Sequence, residues 1–274
     1  MTFHSTRTDI SGRIGLAAIR ALHAEVALHP KPGLVTPRDN GAHRDMDMTT
    51  FLRSLFALRS YFIRIARAGA EGAPFADLQR LGIAAEARML AATGGINTHR
   101  GAIFSLGLLA AAAGWRMQRG MGATQLCQTV ADRWGTEIRS MASDPSSHGT
   151  RARRRHGVSG ARGEAAAGFP LLRDLVHPAL ERALPQGVQA AQVQALFTAM
   201  AHLADTNLLH RGGTEGLALV QAEARTFLEG GGVFAPGWQG RAEALHRTFV
   251  ARNLSPGGSA DMLACAIFLH RPVA

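Results

Sequence analysis

Lysine is nearly missing from this sequence: of 30 lysine and arginine residues, Lys31 alone is a lysine. Tyrosine is as scarce, with a single residue, aromatics reach only 6%, and there are two cysteines. Alternating runs rich in Val, Ile and Tyr are lacking, which argues against strands and a doubly wound nucleotide-binding sheet. No phosphate loop of the form GxxxxGK[ST] occurs, and the setting of the lone lysine cannot supply one. The most apolar run, from Gly101 to Gly114, is too short and alanine-rich for a membrane span, and no signal-peptide core opens the chain. Cys127 and Cys265 lie inside apolar helical patterns and read as buried free thiols of a reducing compartment, so a soluble cytoplasmic protein is expected.

The formal charge of +10 leaves three polyanionic partners open: nucleic acid, an anionic membrane and a polyphosphate substrate. That charge is dispersed except for Arg151-Ala152-Arg153-Arg154-Arg155-His156, and no aromatic interleaves this run. Base stacking therefore has little support, and neither nucleic acid nor membrane is the favoured partner.

What is present is helical periodicity almost throughout. Apolar residues at helical spacing predict helices near 10–28, 48–68, 75–92, 99–113 and 122–140, and again near 171–184, 188–209, 214–229, 239–252 and 257–269. Alanine and leucine dominate them, and glycines and prolines fall mostly between them. The expectation is all-α: one multihelical, bundle-like domain over 1–274, with glycine-rich loops converging on one cleft. The polar, arginine-rich stretch 143–163 reads as a loop over that domain.

Five polar clusters interrupt the apolar helices. The first holds Lys31 between two prolines, in His29-Pro30-Lys31-Pro32-Gly33-Leu34-Val35, followed by Asn40-Gly41-Ala42-His43-Arg44-Asp45-Met46-Asp47. If a helix begins at 42–47, His43 and Asp47 share a face; in a loop, all three polar side chains can converge. A helix cap accounts for one aspartate, while the paired carboxylates suit a hard cation such as Mg²⁺. The second cluster is Thr93-Gly94-Gly95-Ile96-Asn97-Thr98-His99-Arg100-Gly101, where helix-start amides, Asn97, His99 and Arg100 can receive an anion, or where Gly-Gly is simply a turn. Glu86, in the helix before it, faces either the same cleft or solvent. Third, Arg162-Gly163-Glu164 follows the basic run, as a ligand contact or as an ion pair at a helix entrance. Fourth, Asp205, Asn207, His210 and Arg211 sit at the expected end of a helix, and Asp205 embedded before Leu208-Leu209 needs partners if buried. Last, Ser259 and Asp261 follow the glycine turn Pro256-Gly257-Gly258, where a cap is an equally good account.

Taken in order, these passages resemble the triphosphoribosyl-dephospho-coenzyme A synthases, which make the prosthetic-group precursor of citrate lyase and malonate decarboxylase. The similarity is carried by Pro30 to Val35 with Asn40 to Asp47, by Thr93 to Gly107, by Ala161 to Ala165, by Asp205 to Gly213 and by Leu254 to Asp261. It spans nearly the whole chain. Arg100 stands where some relatives carry lysine, which keeps the charge and alters its geometry.

The resemblance implies that ATP donates its triphosphorylated ribose, not a phosphoryl group, to the 2′-hydroxyl of 3′-dephospho-coenzyme A, releasing adenine. The β bond of ATP and the α linkage of the family product imply inversion in a single displacement. It further implies Mg²⁺, with Asp45, Asp47, Glu86, Asp205 and Asp261 as candidate ligands. Asp45, Asp47, His99, Glu164 and Asp205 become candidates for the chemistry. Lys31, His43, Asn97, Arg100, Arg162, Asn207, His210, Arg211 and Ser259 become substrate contacts. The implied partners are ATP, dephospho-coenzyme A and a downstream holo-acyl-carrier-protein synthase pathway, with room for a homodimer. The malonate decarboxylase branch is preferred to the citrate lyase branch. A nucleotide hydrolase and a basic RNA- or membrane-interacting helical protein are the other readings.

Overall fold

The structure is a computed structural model in which residues 5–141 and 160–270 are described. The basic run from Arg151 to His156 lies outside them. The described residues form α-helices joined by loops and short 3₁₀ or π turns, with no strand, as one multihelical bundle.

The first half contains α1 (Ser5–Ala27), α2 (Met48–Ala70), α3 (Phe75–Thr93), α4 (Arg100–Met117) and α5 (Leu126–Ser140). The second contains α6 (Gly160–Ala166), α7 (His177–Ala183), α8 (Val188–His202), α9 (Thr206–Glu229), α10 (Trp238–Ala251) and α11 (Gly257–His270). Helix α2 shows why the periodicity is legible. It buries Leu55, Leu58, Phe62, Ile65 and Gly69, spaced three or four apart, and packs on α1, α3 and α4. Helices α4, α8 and α11 are apolar nearly all round, so each is enclosed on most sides: α11 packs on α1, α4 and α8.

Close packing of α2 and α4 depends on two glycines. A Cβ on Gly69 would overlap the Ala111 carbonyl, and one on Gly114 would overlap the Ala66 carbonyl. Tyr61, the lone tyrosine, is buried at the same contact and donates its hydroxyl to the Ile103 carbonyl at 2.7 Å.

Four boundaries differ from expectation. The single helix expected over 188–209 is two: Leu203 turns into extended backbone, and the Asp205 carboxylate caps α9 by accepting from the Asn207 N–H. His210 and Arg211 lie in the short segment between that cap and Gly213, whose non-helical backbone (φ 63°, ψ −160°) breaks α9 where a new helix is expected to begin. Helix α5 begins at Leu126 and not at 122, because Gly122 and Gln125 take positive φ. The stretch 171–184 is a π turn (Leu172–Val176), then α7, then a 3₁₀ turn (Leu184–Gln186). Finally, residues 160–163, expected in a loop, open α6.

Candidate functional site

One cavity of about 790 Å³ gathers residues from all five polar clusters. Its wall carries Lys31, His43 and Asp45 from the first loop, Glu86 from α3, and Asn97, His99 and Arg100 from the entrance to α4. Arg162 of α6, then Asp205, Asn207, His210 and Arg211 of the α8–α9 junction, and Asp261 of α11 also line it, as does Glu25 of α1. Apolar helices bring these loops together because their buried faces must meet; the polar residues at their ends follow.

Lys31 is 2% exposed and does not reach into the cavity as a bare charge. Its ammonium donates to Glu25 Oε1 at 2.6 Å and to the Glu25 carbonyl at 2.8 Å. Burial pushes the lysine pKa down and the Glu25 carboxylate opposes that shift. An ammonium has three donors, so one remains for a ligand. Glu25 was not legible as a site residue: the one signal was a carboxylate within the apolar turn Ala24-Glu25-Val26-Ala27.

His99 is also 2% exposed. Its Nδ1 lies 2.7 Å from the buried Ser54 Oγ, and its ring packs T-shaped against Phe51 at 5.1 Å between centroids. Burial first, and the charge of Lys31 second, push its pKa down to about 3, so the imidazole is neutral near pH 7. Asn97 Oδ1 accepts from the Arg100 N–H at 3.1 Å and fixes the start of α4. The Arg100 guanidinium pairs with Glu86 at 2.9 Å.

Asp205 joins two helix starts. Oδ1 accepts from the Asn207 N–H at 2.9 Å, and Oδ2 accepts from the Ser259 N–H at 2.9 Å and from the Ser259 hydroxyl at 3.2 Å. Burial raises its pKa even against these bonds. Asp261 keeps some solvent contact at the cavity wall, yet desolvation and the nearby Glu25 and Asp205 raise its pKa well above the ordinary carboxylate value. Gly101 makes room for it, since a Cβ there would overlap the Asp261 carboxylate.

At the rim, His43 Nε2 is 2.8 Å from Ser255 Oγ, and Nδ1 is 3.6 Å from Asp45 Oδ1. Burial and Arg211 lower the His43 pKa and Asp45 opposes them. Arg211 ties the loops together by donating to the Ala42 carbonyl and to Asn253 Oδ1, the latter at 2.6 Å.

Three expected residues stand off the cavity wall. Asp47 is exposed and caps α2 by accepting from the Thr50 N–H at 2.7 Å. Glu164 accepts from the Leu171 N–H at 3.2 Å, and burial raises its pKa. Ser259 is fully buried behind Asp205.

The donor set fits Mg²⁺ in a limited way. Among the described residues, no three His, Cys, Asp or Glu side chains converge in the cavity; the group that does converge is His177, Glu181 and His270, away from its wall. Asp205 and Asp261 nevertheless supply oxygen donors inside the cavity, and neighbouring carboxylates that raise a pKa are what a cation would relieve. Mg²⁺ is commonly held by one or two carboxylates plus substrate phosphates and water, and this wall offers that number.

Among the described residues no helix is long and apolar enough to cross a membrane. No solved structure matches the chain. It is 42% identical to a 2-(5″-triphosphoribosyl)-3′-dephosphocoenzyme-A synthase of Pectobacterium atrosepticum, over 96% of this chain and 88% of that protein. It is 40% identical to a synthase of the same name from Escherichia fergusonii, over 92% of this chain and 89% of that one. The sequence profile of the ATP:dephospho-CoA triphosphoribosyl transferases matches residues 11–272, and the chain belongs to that family.

Proposed function

We propose that this transferase moves the 5-triphosphoribosyl group of ATP to the 2′-hydroxyl of 3′-dephospho-coenzyme A with release of adenine, and that the product serves a malonate decarboxylase acyl-carrier protein. The observation that carries the reading is the meeting of all five motif clusters on one cavity in a chain that matches the family from residue 11 to residue 272.

Attack on C1 of the ATP ribose forms the new glycosidic bond as the bond to adenine breaks, with inversion from β to α. The acceptor hydroxyl loses a proton and the departing purine gains one. The reaction therefore needs cations for the triphosphate, a base for the hydroxyl and a donor for the leaving group. Lys31, His99 and Arg100 answer the first and third needs. Asp45 at the rim, held near His43, is the candidate base, and Asp205 orients the acceptor from the floor. Asp205 and Asp261 would hold Mg²⁺, which neutralises triphosphate charge when bound. Asp47 is assigned to the start of α2, and Glu164 supports the turn into Leu171.

The test is to incubate the purified chain with Mg²⁺, ATP and dephospho-coenzyme A and resolve the products by mass-detected chromatography. Adenine and the triphosphoribosyl adduct formed one to one, and only with acceptor present, support the reading. ADP and phosphate would redirect it to hydrolysis. Citrate lyase requires the same precursor, so the branch is tested in the host: deleting this gene should abolish the holo form of the malonate decarboxylase acyl-carrier protein and leave that of citrate lyase intact, and the reverse would assign the other branch.

A further inference from the structure

Ser54 lies behind the cavity wall and belongs to none of the five motif clusters, yet it is fully buried and touches the ring of His99. Among the described residues its hydroxyl has one hydrogen-bond partner, His99 Nδ1 at 2.7 Å. That single contact decides a tautomer. If Nδ1 carried the hydrogen, Ser54 would accept it, and the serine hydrogen would be buried without an acceptor. Leaving a buried hydroxyl hydrogen unpaired carries the full cost of its desolvation. If Ser54 donates to Nδ1, both of these groups are satisfied and the imidazole hydrogen sits on Nε2 of a ring that lines the cavity, where a bound ligand can accept it.

The rest of the pocket holds the ring in that pose. Phe51 packs T-shaped against it at an interplanar angle of 86°, and the His99 backbone N–H lies 3.2 Å from Met89 Sδ. Nε2 itself is buried and has no hydrogen-bond partner among the described residues. Lys31 sits near enough to act on His99 electrostatically, and Glu25 occupies two of its three donors. A buried Nε2 without a partner and an ammonium with one donor to spare both line the cavity, where an oxygen ligand can accept from each.

We infer that Ser54 is a positioning residue that locks His99 as a neutral Nε2–H donor, and that this donor, beside Lys31, receives an oxygen of a polyphosphate. On this assignment His99 is not the base that activates the acceptor hydroxyl. The inference rests on the proposed reading only for the identity of the polyphosphate; the tautomer rests on the Ser54 contact together with an acceptor for Nε2–H in the cavity.

Two measurements on the full chain separate these parts. Nitrogen-15 spectra of histidine-labelled protein, assigned through the signal lost in His99→Gln, should report a protonated Nε2 and an acceptor-type Nδ1. Ser54→Ala should convert them to a tautomer mixture without loss of helical circular dichroism. A protonated Nδ1 in the wild type would overturn the tautomer assignment whatever the reaction proves to be. Calorimetric titration with tripolyphosphate then tests the ligand. The His99→Ala variant should bind it about tenfold or more weakly, as loss of one hydrogen bond to a charged group predicts. His99→Gln, whose amide nitrogen replaces the Nε2–H, should keep most of the affinity. Unchanged tripolyphosphate binding in folded His99→Ala would overturn the phosphate contact and move the donor to another substrate atom.

Discussion

At the scale of single residues, the site is held by buried charges that answer one another. Lys31 and Glu25 are an almost fully enclosed pair at 2.6 Å, so removing one partner leaves an uncompensated charge. Lys31→Met should cost about 3–5 kcal/mol of stability, and the double variant Glu25→Gln/Lys31→Met should recover much of it. Urea unfolding of the two proteins decides; equal loss in both would mean that the pair contributes through packing only. Asp261 links stability to pH. Its folded pKa lies well above its unfolded value near 3.8, so its contribution to stability is complete below that pH and is lost as pH rises through the folded pKa. Asp261→Asn should therefore be more stable than the wild type at pH 7, with the difference closing as the pH falls towards 3.8. Thermal melts across that range test it, and a pH-independent difference would reject the linkage. The same substitution should abolish transfer if Asp261 holds Mg²⁺, which sets stability against function at one position.

At the scale of elements, the helices were readable because burial imposes its own spacing. The run Gly101 to Gly114 has apolar residues on every side, and a helix of that kind has nowhere to go but the interior, where α4 lies. The break between α8 and α9 was not readable, because apolar residues continue across it. What stops the helix is Asp205, whose carboxylate is worth more capping α9 and joining Ser259 than exposed along a continued helix. Asp47 shows the reverse case, in which a plain local rule accounts for a residue of a chemistry-rich motif. Asp47→Ala should lower Tm and leave kcat/KM unchanged, while Asp47→Asn, an equally good cap, should restore Tm. A collapse of kcat/KM in Asp47→Asn with folding intact would return this carboxylate to the chemistry. The α2–α4 crossing makes a stronger demand. Alanine at Gly114 gains about 1 kcal/mol of helix propensity but meets the Ala66 carbonyl, which is backbone and cannot rotate away. Overpacking costs about 1–3 kcal/mol, so Gly114→Ala should be net destabilising. Its urea midpoint should fall, and activity should fall with it, because α4 begins at His99 and Arg100 on the cavity wall.

At the scale of the whole molecule, the sequence revealed which residue types carry chemistry but not which of them meet. Glu25 with Lys31, Ser54 with His99 and His43 with Ser255 are pairs made by folding, two of them 45 and 212 residues apart. Periodicity places each residue on an element; only the packing of elements says what it faces. Charge is the exception, since it acts over distance and needs no contact. The chain carries +10 in total, whereas two of the cations that line the cavity are matched by carboxylates, Lys31 by Glu25 and Arg100 by Glu86. The surplus therefore acts as a field around the molecule more than as a set of contacts within the site. Such a field raises the local concentration of polyanions and weakens as the screening length shrinks from about 10 Å at 0.1 M salt to about 3 Å at 1 M. Triphosphate and dephospho-coenzyme A are both polyanionic. KM for each should rise with sodium chloride while kcat at saturation holds, because bound substrates are beyond the reach of steering. Steady-state kinetics at several ionic strengths would separate the two effects. A fall in kcat with unchanged KM would place the salt-sensitive charges inside the site instead, at the Lys31–Glu25 and Arg100–Glu86 pairs.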